Sequence, residues 1–207
     1  MSRKQNLQKI AHLIQETGML MVMKRSGYRH LGTKFDTVAS HSYHVAIIAY
    51  CIAKMENLSQ EEVSSAVLMA LFHDLPEART GDNDLVMKNY SEQNEEKAIE
   101  DQIKGLPFAD DLRDIFKEYT ERTSKASKCA KDADAVDEIY QEWVLMWQGN
   151  KLAEEWLKVD LKHRASNLRT KSAKKIIDYM VKSNPMEWWW FDFVDDNNIN
   201  LKHLNGK

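Results

Sequence analysis

An all-α fold in a single domain is what the sequence predicts, and three observations carry the prediction. Apolar residues recur at three- and four-residue spacing over long stretches, the pattern of helices that bury one face. With 7 Gly and 3 Pro in 207 residues, the chain has few of the residues that many tight turns demand. No repeat, low-complexity tract or linker interrupts the helical patterns, which are parted only by short polar breaks.

In chain order, the first helix is expected near residues 4 to 23, where Leu7, Ile10, Ala11, Leu13 and Ile14 form a stripe. Others follow at 38 to 56, 60 to 74, 91 to 104, 109 to 121, 126 to 148 and 151 to 182. In the sixth, Ala133, Val136, Tyr140, Trp143 and Trp147 repeat at helical spacing and form its core stripe. Gly81 to Tyr90 reads as a loop bearing Asp82, Asn83 and Asp84, and loops of this kind touch ligands more often than the elements they join. Residues 1 to 184 are assigned to the domain and 185 to 207 to a tail. That tail opens with Trp188, Trp189, Trp190 and Phe191, too aromatic to stand free in water, so it is expected either on its own domain or at a dimer contact.

Composition narrows the function classes. Hydrophobic content of 43% with 29% charged residues describes a soluble globular protein. No apolar run approaches the roughly 20 residues of a membrane span, and the N-terminus lacks the basic-then-apolar layout of a secretory signal. The expected location is therefore the cytoplasm, with no membrane partner. Cys51 and Cys129 both lie in apolar helical patterns and are expected as buried thiols; two cysteines are too few for a cysteine zinc site. A net charge of -3 argues against a protein that coats nucleic acid, which needs a basic face. A small anionic substrate needs only a locally positive pocket, which a metal ion and one or two arginines provide. The densest basic stretch, Lys158 to Lys175, reads as a solvated helix face.

The strongest chemical signal is Leu71-Phe72-His73-Asp74-Leu75-Pro76-Glu77. A neutral imidazole and the adjacent carboxylate can both ligate one divalent metal, and an apolar helical run delivers them to the helix breaker Pro76. Burying an unpaired carboxylate there is costly, and a metal offsets the cost. Borderline divalent cations want about four donors, so others must come from elsewhere. The candidates are His41, at the opening of a helix, and Asp134, flanked by Ala133 and Ala135 at the edge of the core stripe.

In the order His41, His73-Asp74, Asp134, the chain resembles the HD-domain superfamily of metal-dependent phosphohydrolases. Further segments carry the likeness: Arg25-Ser26-Gly27-Tyr28, Val38-Ala39-Ser40-His41-Ser42, the run from His73 through Gly81-Asp82, and Lys131-Asp132-Ala133-Asp134-Ala135. These are similar to the branch that contains bacterial 5'-deoxynucleotidases and their archaeal and eukaryotic relatives, over roughly residues 5 to 180. One departure stands out. Ser40 occupies the place where the family usually has an acidic residue before its first ligand histidine, which touches the tuning of His41 and not its ligation.

The resemblance implies an HD-type helical bundle around a buried metal site. It implies one divalent cation, with Co, Mn, Fe, Zn or Ni suited by ligand type, held by His41, His73, Asp74 and Asp134. Glu77 would orient or deprotonate water or protonate the leaving oxygen, Arg25 would hold the phosphate, and Asp82 would accept a hydrogen bond from the sugar. Substrate would then lie against Arg25, Asp82 and His41. The implied substrate is a deoxyribonucleoside 5'-monophosphate and the implied assembly a homodimer. His44 is preferred as a neighbour of the ligands or a core residue, and Asp132 and Asp137 are read as lying behind the ligands or on the surface. Competing readings are another HD phosphohydrolase, acting on triphosphates or on cyclic or hyperphosphorylated nucleotides, and a non-catalytic helical scaffold. Beyond His44 there is no well-placed extra histidine for a second metal, and a scaffold has no need of Glu77 or Asp82.

Overall fold

The computed structural model describes residues 3–33 and 36–191. Among these the chain is helical throughout, apart from an isolated antiparallel bridge between Lys24 and Thr37. The first helix, α1 (Arg3–Thr17), stops short of its expected end. Thr17 turns its hydroxyl back to the Ile14 carbonyl at 2.9 Å, and Gly18 opens a 3₁₀ turn, Gly18–Met21. A second such turn, Gly27–Leu31, precedes α2 (Val38–Met55). Arg25 therefore sits between two 3₁₀ turns, beyond the end of the first helix.

Helices α2 and α3 (Gln60–Phe72) form an antiparallel pair, and each begins with a capping box. Thr37 accepts from the Ser40 amide, and Ser59 does the same for Glu62. Both helices lean on α8 (Lys125–Trp147), the longest element at 23 residues. Small residues line the three-way seam: Ala49, Ala53, Ala66, Ala70, Ala130 and Ala133 are all fully buried. With so little side-chain bulk between them the backbones approach closely, so polar residues at one end of the seam are forced together. Val45, Ile52, Val63, Met69, Val136 and Ile139 fill the rest of this core. Trp143 of the expected stripe is buried, whereas Trp147 is half exposed.

Between α3 and α8 lie two short helices, α4 (Glu77–Thr80) and α5 (Leu85–Lys88), then α6 (Glu95–Ile103) and α7 (Ala109–Glu121). Leu75, Ile99, Ile103, Leu106 and Leu112 build a second apolar cluster with Leu20 and Val38. The expected loop from Gly81 to Tyr90 thus contains a helical turn, capped by Asp84, whose carboxylate accepts from the Val86 and Met87 amides at 2.9 Å. The described part of the tail forms a π-helical turn, Glu187–Phe191, where Trp188, Trp189 and Trp190 remain 73%, 46% and 36% exposed. Residues 192–207 of the expected tail lie outside the described residues. Cys129 is buried as expected, but Cys51 faces outward and is exposed.

The single helix expected at 151 to 182 is two: α9 (Lys151–His163) and α10 (Lys171–Met180), parted by a 3₁₀ turn and an extended stretch. The cause is Asp132, which is fully buried. Its carboxylate accepts from the Arg169 and Thr170 amides and the Thr170 hydroxyl at 2.7–2.9 Å, and pairs with Arg122. This residue lies neither behind the metal ligands nor on the surface; it is the anchor that breaks the helix. Asp132→Ala is expected to cost about 3 kcal/mol or more, since Arg122 and two amides lose a buried anionic partner. A fall in the urea midpoint at unchanged slope would show it.

A second polar contact joins α8 to α9. Glu142 and Asp160 are 1% and 7% exposed, and burial, with Asp160 next, pushes the Glu142 carboxyl up to about 9. Burial in the folded protein therefore favours the neutral acid of Glu142 at pH 7, while in the unfolded chain it ionises near 4.5. The native state binds the extra proton across that window, so this group's contribution is full below the unfolded pKa and declines as pH rises towards about 9. Glu142→Gln, neutral at every pH, should gain stability on the wild type progressively over that range. Denaturant melts at a series of pH values test this; a pH-independent difference would contradict it.

Candidate metal centre and active site

The three-way seam ends in polar groups. His41 sits in the first turn of α2, His73 directly follows α3, and Asp134 lies mid-way along α8. One ligand atom from each of these lies within 4.8 Å of the others. His41 Nε2 is 3.3 Å from Asp134 Oδ1 and 3.5 Å from Asp74 Oδ2; His73 Nε2 is 3.1 Å from Asp74 Oδ1 and 3.9 Å from Asp134 Oδ1. His41, His73 and Asp134 thus share one point, and the Asp74 carboxylate approaches the two imidazoles with one oxygen each.

Both imidazoles are turned the same way. His41 Nδ1 donates to Asp137 at 2.6 Å and His73 Nδ1 to the Ala70 carbonyl at 2.7 Å, which leaves each Nε2 facing the carboxylates. That is the arrangement in which histidine presents a lone pair to a cation while its other nitrogen fixes the ring. His73 Nε2 is buried and has no hydrogen-bond partner. An orphaned imidazole nitrogen among carboxylate oxygens fits a divalent cation.

Electrostatics agree. Burial works against charge on His41, but hydrogen bonds to Asp134 and Asp137 prevail and push its pKa up to about 10. Burial would raise Asp134 as well, yet His41 and His73 hold it far below the usual carboxylate range. A site that gathers this much negative charge around two imidazoles takes either protons or a metal, and a metal bound here displaces protons.

Several contributors were not legible from the motif. Asp137 is fully buried and supplies the acid that Ser40 does not: it accepts from His41 Nδ1, from His44 Nδ1 at 2.5 Å, and from Arg25 at 3.3 Å. These contacts bring it down to about 2 against the effect of burial. Its place one helical turn beyond Asp134 was the available signal. His44 spends Nδ1 on Asp137 and stacks on Tyr140, in keeping with a supporting role. Tyr119 of α7 donates to Asp134 Oδ2 at 3.3 Å and lies against the His73 ring, with Lys131 over its face. A second acidic grouping, Asp36 with His41 and Asp137, shares its histidine with the first and already holds the Arg25 guanidinium.

A cavity of about 530 Å³ opens beside Asp134, walled by Arg25, Tyr28, Asp82, Glu138, Trp156 and Arg164. Arg25 lies over the Tyr28 ring, and Tyr28 packs on Trp156. Gly81, at φ 78, ends α4 in the left-handed region and swings Asp82 across to accept the Ser26 amide. Asp82 therefore clamps the Arg25 segment to the cavity rim. Glu77 opens α4; burial, then Asp74 and Asp82, push its carboxyl up to about 9, and its Oε2 is buried without a partner.

Asp137→Asn keeps the shape but removes the charge that holds both imidazoles. It is expected to weaken divalent metal binding by roughly 10- to 100-fold while the helical content is retained. Metal titration of the purified variant checks this, and unchanged affinity would remove Asp137 from the site.

Comparison with known proteins follows the geometry. A family model described as HD domain matches residues 17–177. A 5'-deoxynucleotidase from Shewanella oneidensis is 24% identical over 212 residues, covering 95% of this chain and 98% of its own. A 5'-deoxynucleotidase from Dictyostelium discoideum is 27% identical over 145 residues, 65% of this chain and 76% of its own. Among solved structures, a conserved hypothetical protein from Pyrococcus furiosus superimposes with a TM-score of 0.65 at 28% identity, covering 81% of this chain and 96% of that one. With the family model spanning most of its length and the same helical architecture in its relatives, the chain belongs to the HD-domain family.

Proposed function

We propose that this protein is a metal-dependent phosphohydrolase acting on deoxyribonucleoside 5'-monophosphates, releasing the deoxynucleoside and phosphate. The observation that carries the reading is the gathering of His41 Nε2, His73 Nε2, Asp74 and Asp134 beside a cavity that Asp134 shares with Arg25. Two relatives bearing the 5'-deoxynucleotidase name, one matched over 95% of this chain and the other over 65%, support the substrate class.

In this reading His41, His73, Asp74 and Asp134 hold one divalent cation, of the kind suited to mixed imidazole and carboxylate ligands: Co, Mn, Fe, Zn or Ni. Such a cation supplies a water of lowered pKa and offsets charge on phosphate oxygens. Arg25 meets the phosphate with the N–H groups that its pairing with Asp137 and Glu138 leaves over, and those two acids keep it in place. Glu77, three residues after Asp74, moves the proton: it takes one from the attacking water or returns one to the leaving 5'-oxygen. Its burial beside Asp74 and Asp82 makes it the group here whose protonation answers most to a nearby cation. Asp82 faces the cavity and accepts from the sugar hydroxyl with whichever oxygen the Ser26 amide leaves. Tyr28, buried against Trp156, closes the wall next to Arg25.

Release of inorganic phosphate from a panel of deoxy- and ribonucleoside mono-, di- and triphosphates, with each metal in turn, tests the assignment. Preference for deoxyribonucleoside 5'-monophosphates is the expected outcome; turnover confined to triphosphates or cyclic nucleotides, or none, would overturn it. Glu77→Ala should keep its metal and lose turnover by on the order of 10² or more. Loss of metal together with activity would instead make Glu77 a ligand.

A further inference from the structure

Arg164 belongs to the basic stretch that reads as a solvated face, yet it turns inward and lines the same cavity as Asp134 and Arg25. It caps the C-terminus of α9, where the helix dipole favours a cation. Its Nε donates to Asp160 at 2.7 Å and its Nη1 pairs with Glu138 Oε2. From the other side Arg25 Nη2 lies 3.3 Å from Glu138 Oε1. One half-buried carboxylate therefore pairs with a guanidinium on each oxygen.

The two arginines are not equivalent. Arg25 is 12% exposed and has both terminal nitrogens committed, Nη1 to Asp137 and Asp36 and Nη2 to Glu138. The Arg164 side chain is 38% exposed, and its contacts among the described residues run through Nε and Nη1, which leaves the Nη2 edge for the cavity. Asp134, Glu138 and Glu142 recur at four-residue intervals along α8, about 6 Å per step. Arg164, on the middle acid, is thus one step from the carboxylate at the metal centre. A phosphate group spans such a gap, one oxygen toward the cation and another accepting from a guanidinium at roughly 2.8 Å. The cavity also needs this charge. Five carboxylates line it against Arg25, Lys88, Arg164 and His30, and Arg25 is already matched by three carboxylates, so a dianionic substrate meets more acids than cations.

We propose that Arg164 is a second phosphate-contacting residue, held ready at the cavity wall by Glu138 and Asp160. The inference rests on the phosphohydrolase reading and adds a residue from α9 that no part of the motif contains.

The test uses the full-length, metal-loaded protein with inorganic phosphate as the probe, its affinity measured by calorimetry beside KM and kcat for a deoxyribonucleoside 5'-monophosphate. Arg164→Gln is expected to weaken phosphate binding and raise KM by about tenfold or more, the worth of one charge-assisted hydrogen bond, with metal content and helicity unchanged and a smaller effect on kcat. Arg164→Lys, which keeps the charge without the fork, should fall between the two. Phosphate affinity and KM equal to wild type in Arg164→Gln would overturn the proposal, as would a loss of kcat alone, the result expected if Arg164 merely braces Glu138. If Arg164→Gln does not fold, Arg164→Lys decides: weakened phosphate binding supports the contact and wild-type affinity overturns it. Arg164-dependent phosphate binding in a protein that hydrolyses no nucleotide would uphold this contact and overturn the proposed function; nucleotide hydrolysis indifferent to Arg164 would do the reverse.

Discussion

Asp137 is a carboxylate with no access to water, and its burial is tolerable only because three donors from two separate segments converge on it. His41 and His44 reach it from α2, Arg25 from the segment before that helix, and Asp137 itself rides on α8. The contact therefore sets the rotation of α2 against α8 as well as the orientation of the His41 ring. The distances from His41 to Asp74 and Asp134 at the candidate metal centre inherit that setting. His41 Nε2 meets Asp74 and Asp134 because Nδ1 is already committed, and Arg25 faces the cavity because Asp137 holds it there.

This network is affordable in a small domain because the seam below it is so tightly closed. Alanines at the crossing of α2, α3 and α8 let the helices approach, and the isoleucines, valines and Met69 around them bury apolar surface at roughly 25 cal/mol per Å². Above the seam the interior changes character. Glu138, Glu142 and Asp160 face one another with Arg164 between α8 and α9, an arrangement that apolar residues of similar size would replace at no loss of stability. Polar groups kept where apolar ones would serve the fold mark a place where the fold yields to chemistry, and here they border the cavity.

Much of this was legible beforehand, for reasons that differ by residue. His73 and Asp74 are adjacent in sequence and end an apolar run, so their placement followed from local pattern alone. His41 and Asp134 took meaning only from their order in the chain, which the HD-domain resemblance supplied. Asp137 was set aside because one-dimensional spacing does not tell which face of α8 meets α2. Tyr119 and Arg164 come from helices whose contact with the site depends on the tertiary arrangement, and neither carries a local mark. The same limit explains the missed break between α9 and α10. No glycine or proline interrupts residues 164 to 170; the helix ends there because Asp132, on another helix, takes up two of its backbone amides. The first helix was overdrawn for a simpler reason, a periodic pattern that continues past Gly18.

Helix α8 carries Asp132, Asp134, Asp137, Glu138 and Glu142 within its 23 residues, and together they reach Thr170, Tyr119, His41 and Arg25 around the helix. Adding or removing one residue in its middle would rotate everything downstream by about 100° and shift it along the axis by about 1.5 Å. Such a change would separate the Asp132 anchor from the Asp137 hub, even though every side chain remained. Along this helix the register is therefore under stricter constraint than the identity of any single apolar residue, and natural variation in the length of the chain should be absorbed at its ends or in α1, which buries none of its side chains fully.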